Sequence, residues 1–284
     1  MDSSQPFVAV LGIAQDGGRP QAGCRRACCV DQPRLSPACL AIVDPIADQR
    51  FLIDATPDIG AQLAMLDRIA PRVGAGRVLD GVLLTHAHMG HYTGLVHLGR
   101  EALALPGVPV HTSERMADFL LANSPWKELV DHGHVDIVRF DTTFPLTPSI
   151  SVRAIPVLHR DELSDTVCFV IEGPNRRVLW LPDIDSWDGW DVDIVELVAS
   201  VDVAYVDGTF FDDGELERDM SAIPHPRVVD TVRRVTDLDP PLAERVRFVH
   251  LNHTNPALVD DSSARTFVEV AGMAIASEGE CESL

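Results

Sequence analysis

One stretch constrains this chain more than any other: Leu83-Leu84-Thr85-His86-Ala87-His88-Met89-Gly90-His91. An apolar run, Val82 to Thr85, reads as a buried strand and ends in three histidines spaced i, i+2 and i+5 across a turn of small residues. Imidazole is the commonest metal-binding side chain. In a strand-exit loop His86 and His88 can project to one side while His91 opens the following helix. A solvated histidine loop is the plain alternative for a lone histidine, but three at this spacing directly after a strand favour a cation site. Such a site needs a fold in which distant strand ends meet.

The rest of the chain supplies those strands. Phe7 to Ile13, Cys39 to Val43, Arg50 to Ile53, Val108 to Thr112, Val135 to Phe140, Ile150 to Leu158, Val167 to Ile171, Val178 to Leu181, Val203 to Val206 and Val246 to Leu251 read as strands. Pro57 to Ile69 carries Ile59, Leu63, Leu66 and Ile69 on one helical stripe, and Glu114 to Leu121, Val192 to Val198 and Pro226 to Val235 also read as helices. The pattern predicts an α/β chain of two mixed sheets packed face to face with helices outside, rather than a doubly wound parallel sheet. No Gly/Ser linker divides it, so residues 1–284 read as a single domain. Residues 14–38 form a long Cys-containing loop, a length that usually signals function or disorder. Residues from about 273 to 284 read as a loose tail.

Charge narrows the partners. The chain carries 23 Lys and Arg against 43 Asp and Glu, a net charge of −20. That field repels polyanions, so nucleic acid is not expected as a partner. No run approaches the ~18–20 apolar residues of a membrane span. The opening Met1 to Phe7 is polar and acidic, without the basic-then-apolar order of a signal segment, so a cytoplasmic location is expected. In a reducing compartment the tight cluster Cys24, Cys28 and Cys29 reads as metal-binding or incidental rather than as a disulfide framework.

The histidine stretch resembles the HxHxDH signature of the metallo-β-lactamase fold superfamily, four-layer αββα sandwiches. Further landmarks follow in that superfamily's order: His159 at the end of Ile150 to Leu158, Asp183 after Val178 to Leu181, and His250 after Val246 to Val249. Five longer matches narrow the resemblance. They are Leu11 to Gly18, the Cys cluster, Thr56-Pro57-Asp58-Ile59, Asp207 to Asp213 and His250 to Pro256. Together they resemble the coenzyme PQQ biosynthesis protein B family across residues 8–256. A looser similarity joins the chain to the branch containing RNase Z and the cyclic-phosphate phosphodiesterase of phosphonate metabolism.

The resemblance implies His86, His88 and His159 on a first metal, Asp183 bridging, and His91 and His250 on a second. Gly90 replaces the signature's Asp, which leaves the second site three of its usual four protein ligands. Zinc is the first expectation, with iron or manganese compatible. His225 matches a phosphodiesterase histidine near the scissile group and would act with Asp183 in catalysis, although a plain loop histidine between two prolines is the competing reading. Asp58 and Asp207 match family positions behind the ligands, Asp58 also reading as a helix-start residue. The resemblance further implies a structural zinc at Cys24, Cys28, Cys29 and His253. Against it, adjacent thiols chelate poorly together and Arg26 stands at the family's middle Cys position. His97, His111, His132 and His134 match nothing and read as surface or packing residues.

The resemblance thus implies a metal-dependent hydrolase of a small ester, lactone or phosphodiester. Two alternatives stay open: an iron-dependent oxidoreductase or hydroxylase of PQQ-biosynthesis type at the same site, and a non-catalytic metal or small-molecule binding protein. A small-molecule substrate is expected, and an assembly of identical chains is compatible with the sequence.

Overall fold

Every residue of β1 (Phe7–Gly12) is buried, which a strand achieves only when both faces of its sheet are covered. One face of β1, with Val8 and Val10, joins Leu40, Ile42, Phe51 and Ile53 in the core shared with a second sheet. The other face, with Ala9 and Leu11, packs beneath Ile59, Leu63 and Leu66 of α1 (Ile59–Ile69). The structure, a computed structural model, describes residues 5–72, 77–221, 223–238 and 240–284. The first four residues of the polar opening lie outside these.

The first sheet is completed by β2 (Cys39–Asp44), β3 (Gln49–Ile53), β4 (Gly81–Leu83), β5 (Val108–Thr112), β6 (Val135–Arg139) and β14 (Cys281–Ser283), in the order β14-β1-β2-β3-β4-β5-β6. The second comprises β7 (Thr143–Pro145), β8 (Ser151–Val157), β9 (Thr166–Glu172), β10 (Arg177–Leu181), β11 (Val203–Asp207), β12 (Val246–Val249) and β13 (Ala274–Ile275), in the order β13-β12-β11-β10-β9-β8-β7. Helices α2 (Met89–Tyr92), α3 (Glu114–Ala122) and α4 (Trp126–Asp131) belong to the first half; α5 (Ile194–Ala199), α6 (Val228–Leu238) and α7 (Ser263–Val270) belong to the second. Met116, Leu120 and Leu129 from α3 and α4 pack on the first sheet. Ile194, Leu197, Val228, Val232 and Val268 pack on the second. The architecture is the expected αββα sandwich.

Strand direction gathers the loops that matter. In the first sheet β3 to β6 are parallel, and β1, two antiparallel steps from β3, runs with them. In the second, β10 to β13 are parallel, and β8 runs with β10 by the same reasoning. Crevices at the carboxyl ends of such strands are where α/β folds place ligands.

Segment 273–284 corrects the sequence reading. It is not a loose tail: β13 pairs with β12, β14 pairs with β1, and Leu284 is fully buried with its N–H donating to the Pro6 carbonyl at 2.9 Å. Strands of two and three residues carry no legible period and exist only because a longer partner strand holds them. The late strand also ends at Val249 rather than Leu251, because His250 turns the chain at φ +60°. Residues 14–38 hold no helix or strand, only the isolated bridges Ala14–Pro37, Ala14–Leu251 and Arg19–Leu35.

Candidate metal centre

The loops after β4, β8, β10 and β12 bring all six expected ligands to one place. His86, His91, His159, Asp183 and His250 are buried, and His88 is partly so. His88 Nδ1 lies 3.2 Å from His159 Nε2. Asp183 spans two clusters: its Oδ1 is 3.6 Å from His159 Nε2, and its Oδ2 is 3.1 Å from His91 Nε2 and 3.3 Å from His250 Nε2. Two nitrogens each ~2.0–2.1 Å from one tetrahedral ion sit roughly 3.3 Å apart, so these spacings suit ligands around a cation.

Four of the five histidines are aimed by a partner at the other ring nitrogen. His91 Nδ1 donates to Asp54 Oδ2 at 2.7 Å, and His159 Nδ1 to Asp185 Oδ1 at 2.8 Å. His86 Nδ1 meets the Thr85 hydroxyl at 3.0 Å, and that hydroxyl donates to Asp54. His250 Nδ1 meets the Thr209 hydroxyl at 3.0 Å, and that hydroxyl donates to Asp207 Oδ1 at 2.7 Å. A carboxylate can only accept, so Nδ1 of these four rings carries a proton and Nε2 is the atom turned to the centre.

The chemistry of the donors fits a cation. His86 Nε2, Asp183 Oδ2, His250 Nε2 and Asp16 Oδ1 are buried without any hydrogen-bond partner, although such groups are normally paired. Burial pushes His86, His88 and His159 below their ordinary values, His88 to about 4, which keeps these rings neutral with one nitrogen lone pair free. Burial would lower His91 too, but the carboxylates of Asp54, Asp183 and Asp16 outweigh it and hold its value well above the usual one. Burial raises Asp183, yet the His250 and His91 imidazoles overcome that and keep it well below the carboxylate range.

His225 stands beside this centre. Its Nδ1 donates to Asp207 Oδ2 at 2.7 Å, and one of its ring nitrogens shares a cluster with Asp183 and His250. Burial pushes His225 down, but Asp207, with Asp183 and Asp185 beyond it, raises it overall.

Asp58 departs from expectation. It lies at the start of α1 and pairs with Arg34 at 2.6 Å, so it supports no ligand; Asp54, at the end of β3 with φ +69°, does so instead. Sequence reasoning also missed Asp16, Asp185, Thr85 and Thr209. The only signals were their places just past strand ends, which ordinary turn residues share. Asp16 Oδ1 lies 3.3 Å from His91 Nε2 and 3.9 Å from His250 Nε2.

Cys24, Cys28, Cys29 and His253 form a second constellation, with one donor atom from each within 4.8 Å of the others. The neighbouring thiols at 28 and 29 therefore do reach one point. His253 Nδ1 rests on Asn252 Oδ1 at 3.0 Å, which leaves Nε2 for the cluster. His97, His132 and His134 instead bond backbone carbonyls, and His111 stacks on Phe144.

Residues 49–251 match the Beta-lactamase superfamily domain. The chain is 29% identical over 307 residues to a coenzyme PQQ synthesis protein B of Methylorubrum extorquens, covering 96% of this chain and 98% of that protein. Its fold resembles Zn(2+)-bound PqqB from Methylobacterium extorquens at TM-score 0.80 and 23% identity, over 98% of this chain and 100% of that one. It resembles a diphosphatase of the PhnP family at TM-score 0.69 and 19% identity, over 99% and 97% of the two chains. A domain match running from β3 past the end of β12, on two facing mixed sheets, makes this chain a member of the β-lactamase superfamily, with PqqB among its relatives.

Proposed function

We propose that the protein is a metal-dependent hydrolase that uses metal-activated water on a small ester, lactone or phosphodiester. One observation carries the reading: four buried donor atoms without hydrogen-bond partners, on His86, Asp183, His250 and Asp16, belong to clusters linked through His91, Asp183 and His250. His86, His88 and His159 would hold one divalent ion and His91 and His250 another, with Asp183 between them. Such ions ionise water near neutrality, lowering its pKa from ~15.7 to ~7. Asp54, Asp185 and Asp207 keep the imidazoles oriented. His225, its proton-holding form favoured by Asp207, is placed to protonate a leaving group, a role worth ~10²–10⁴-fold in rate. A hydroxide nucleophile needs no serine or cysteine.

Zinc is the favoured ion, supported by the zinc-bound relative, with iron and manganese also suited to these donors. The diphosphatase relative supports a phosphoester substrate, and the net charge of −20 favours a small molecule over RNA. The cysteine cluster with His253 would hold a structural zinc. The test is metal content per chain in protein purified without chelators, together with turnover of bis(p-nitrophenyl) phosphate. Bound metal and turnover lost in His86→Ala support the reading; a wild-type protein that takes up no divalent ion overturns it.

A second reading rests on similarity to coenzyme PQQ synthesis protein B along nearly the whole chain. It is an iron-dependent oxidoreductase or hydroxylase role at the same histidines. Tightly held iron with oxygen uptake favours it; zinc or manganese with oxygen-independent hydrolysis favours the first.

A further inference from the structure

We propose that Asp16, from the loop after β1, supplies the carboxylate ligand of the second metal that position 90 lacks, and that Gly90 keeps the space open for it. The inference rests on the two-ion reading above and concerns which residue completes its second half.

Space is the first argument. Gly90 is buried within α2, and a Cβ built there would collide with Asp16 Oδ1, reaching the Asp16 Cα at 2.6 Å and Cγ at 2.9 Å. The volume that any side chain at position 90 would enter is therefore filled by the side chain of Asp16. A carboxylate reaches the same neighbourhood from either position, but the two cannot be present together.

Direction is the second. Asp16 Oδ1 has no hydrogen-bond partner despite its burial, and it lies 3.9 Å from an atom in the same condition, His250 Nε2, on a residue 1% exposed. Asp16, His91 and His250 each place a donor atom within 4.8 Å of the others. Asp183 Oδ2, also unpartnered, lies 3.1 and 3.3 Å from the same His91 and His250 nitrogens, so an ion held among these four side chains would satisfy all three orphaned atoms at once.

Anchoring is the third. The Gln15 N–H donates to the Leu251 carbonyl at 2.9 Å, and the Leu251 N–H donates to the Ile13 carbonyl at 2.8 Å. Ala14 is tied to the Ser36 carbonyl at 2.9 Å, and Gly18 closes a turn onto Gln15 at 2.7 Å. The backbone before Asp16 is thus fixed to the residue that follows His250, and the backbone after it closes back onto Gln15. A ligand held this firmly loses little entropy on binding a metal.

The competing role for Asp16 is a plain ion pair with a protonated His91. Chelator-competition titration with Zn²⁺, and electron paramagnetic resonance of the Mn²⁺-loaded protein, separate the two. The expected wild-type result is two ions at the histidine centre with a spin-coupled Mn²⁺ pair. Asp16→Asn should weaken the second ion at least ~10-fold, leave the first unchanged and replace the coupled signal with an isolated one. Asp16→Gly should do the same, and Asp16→Gly with Gly90→Asp should restore the pair. Unchanged second-ion affinity in folded Asp16→Asn overturns the inference, as does a folded double variant that regains nothing. A wild-type protein that binds only one ion at the histidines overturns the two-ion reading itself.

Discussion

Asp54 and Asp207, at the ends of strands in the two sheets, share a pattern of bonds to one threonine and two histidines. Each is wholly buried past the core of a strand, β3 or β11, and each accepts a histidine Nδ1–H through Oδ2 at 2.7 Å, from His91 and His225 respectively. Each also binds the N–H and hydroxyl of a threonine, Thr85 or Thr209, whose oxygen then meets a second histidine, His86 or His250, at 3.0 Å. One carboxylate in each half of the sandwich therefore orients two imidazoles.

Replacing Asp54 should be felt at both ions. Asp54→Asn should weaken metal binding ~10–100-fold in a chelator-competition titration while the protein stays folded. Asp54→Ala should also destabilise it, because the His91 Nδ1–H and the Thr85 N–H lose a buried acceptor, at about 1–3 kcal/mol each. Urea unfolding of the two variants separates the effects.

If His225 donates a proton to the leaving group, its removal should depend on how badly that group needs one. His225→Ala should lower kcat ~10²–10⁴-fold for an alkyl ester and far less for a p-nitrophenyl ester, whose leaving group departs unprotonated. Equal losses on both substrates would point to a role in holding metal.

Acid should empty the two halves of the centre in order. His86, His88 and His159 have lowered values, so they remain neutral donors as pH falls below the ordinary ~6.5. His91 is raised, so an incoming ion must displace its proton even near neutrality, and that cost grows about tenfold per pH unit lost. Equilibrium dialysis against Zn²⁺ from about pH 7.5 to about pH 5.5 should show the second ion leaving first. Simultaneous loss would contradict this.

Zinc at the cysteine cluster should release protons. Burial raises Cys28 and raises Cys29 to about 11, so these thiols are protonated at neutral pH until a cation claims them. Zinc added in weak buffer should acidify it and raise Tm, and Cys29→Ser should remove the cysteine cluster's share of both effects while that of the histidine centre remains.

Leu284 should behave as a core residue. It is fully buried, so Leu284→Ala should cost about 2–5 kcal/mol in urea unfolding. Deleting Cys281–Leu284 would also bare the edge of β1 and should promote aggregation, visible by light scattering.

Local sequence by itself determined the strands and the histidines at their ends. An all-apolar run such as Val178–Leu181 reads as a doubly covered strand, and the spacing of His86, His88 and His91 survives folding because a strand exit and one helical turn are local geometries. The resemblance added His159, Asp183 and His250, which share no local pattern. Only the tertiary structure decided who supports and completes the centre. Asp16, Asp54 and Asp185 look like turn residues in the sequence, and the choice of Asp54 over Asp58 turns on a backbone bend at one residue. The same holds for the adjacent thiols at 28 and 29 and for the short strands β13 and β14. Each depends on partners more than twenty residues away, brought close by the packing of two sheets rather than by any preference of the segment itself.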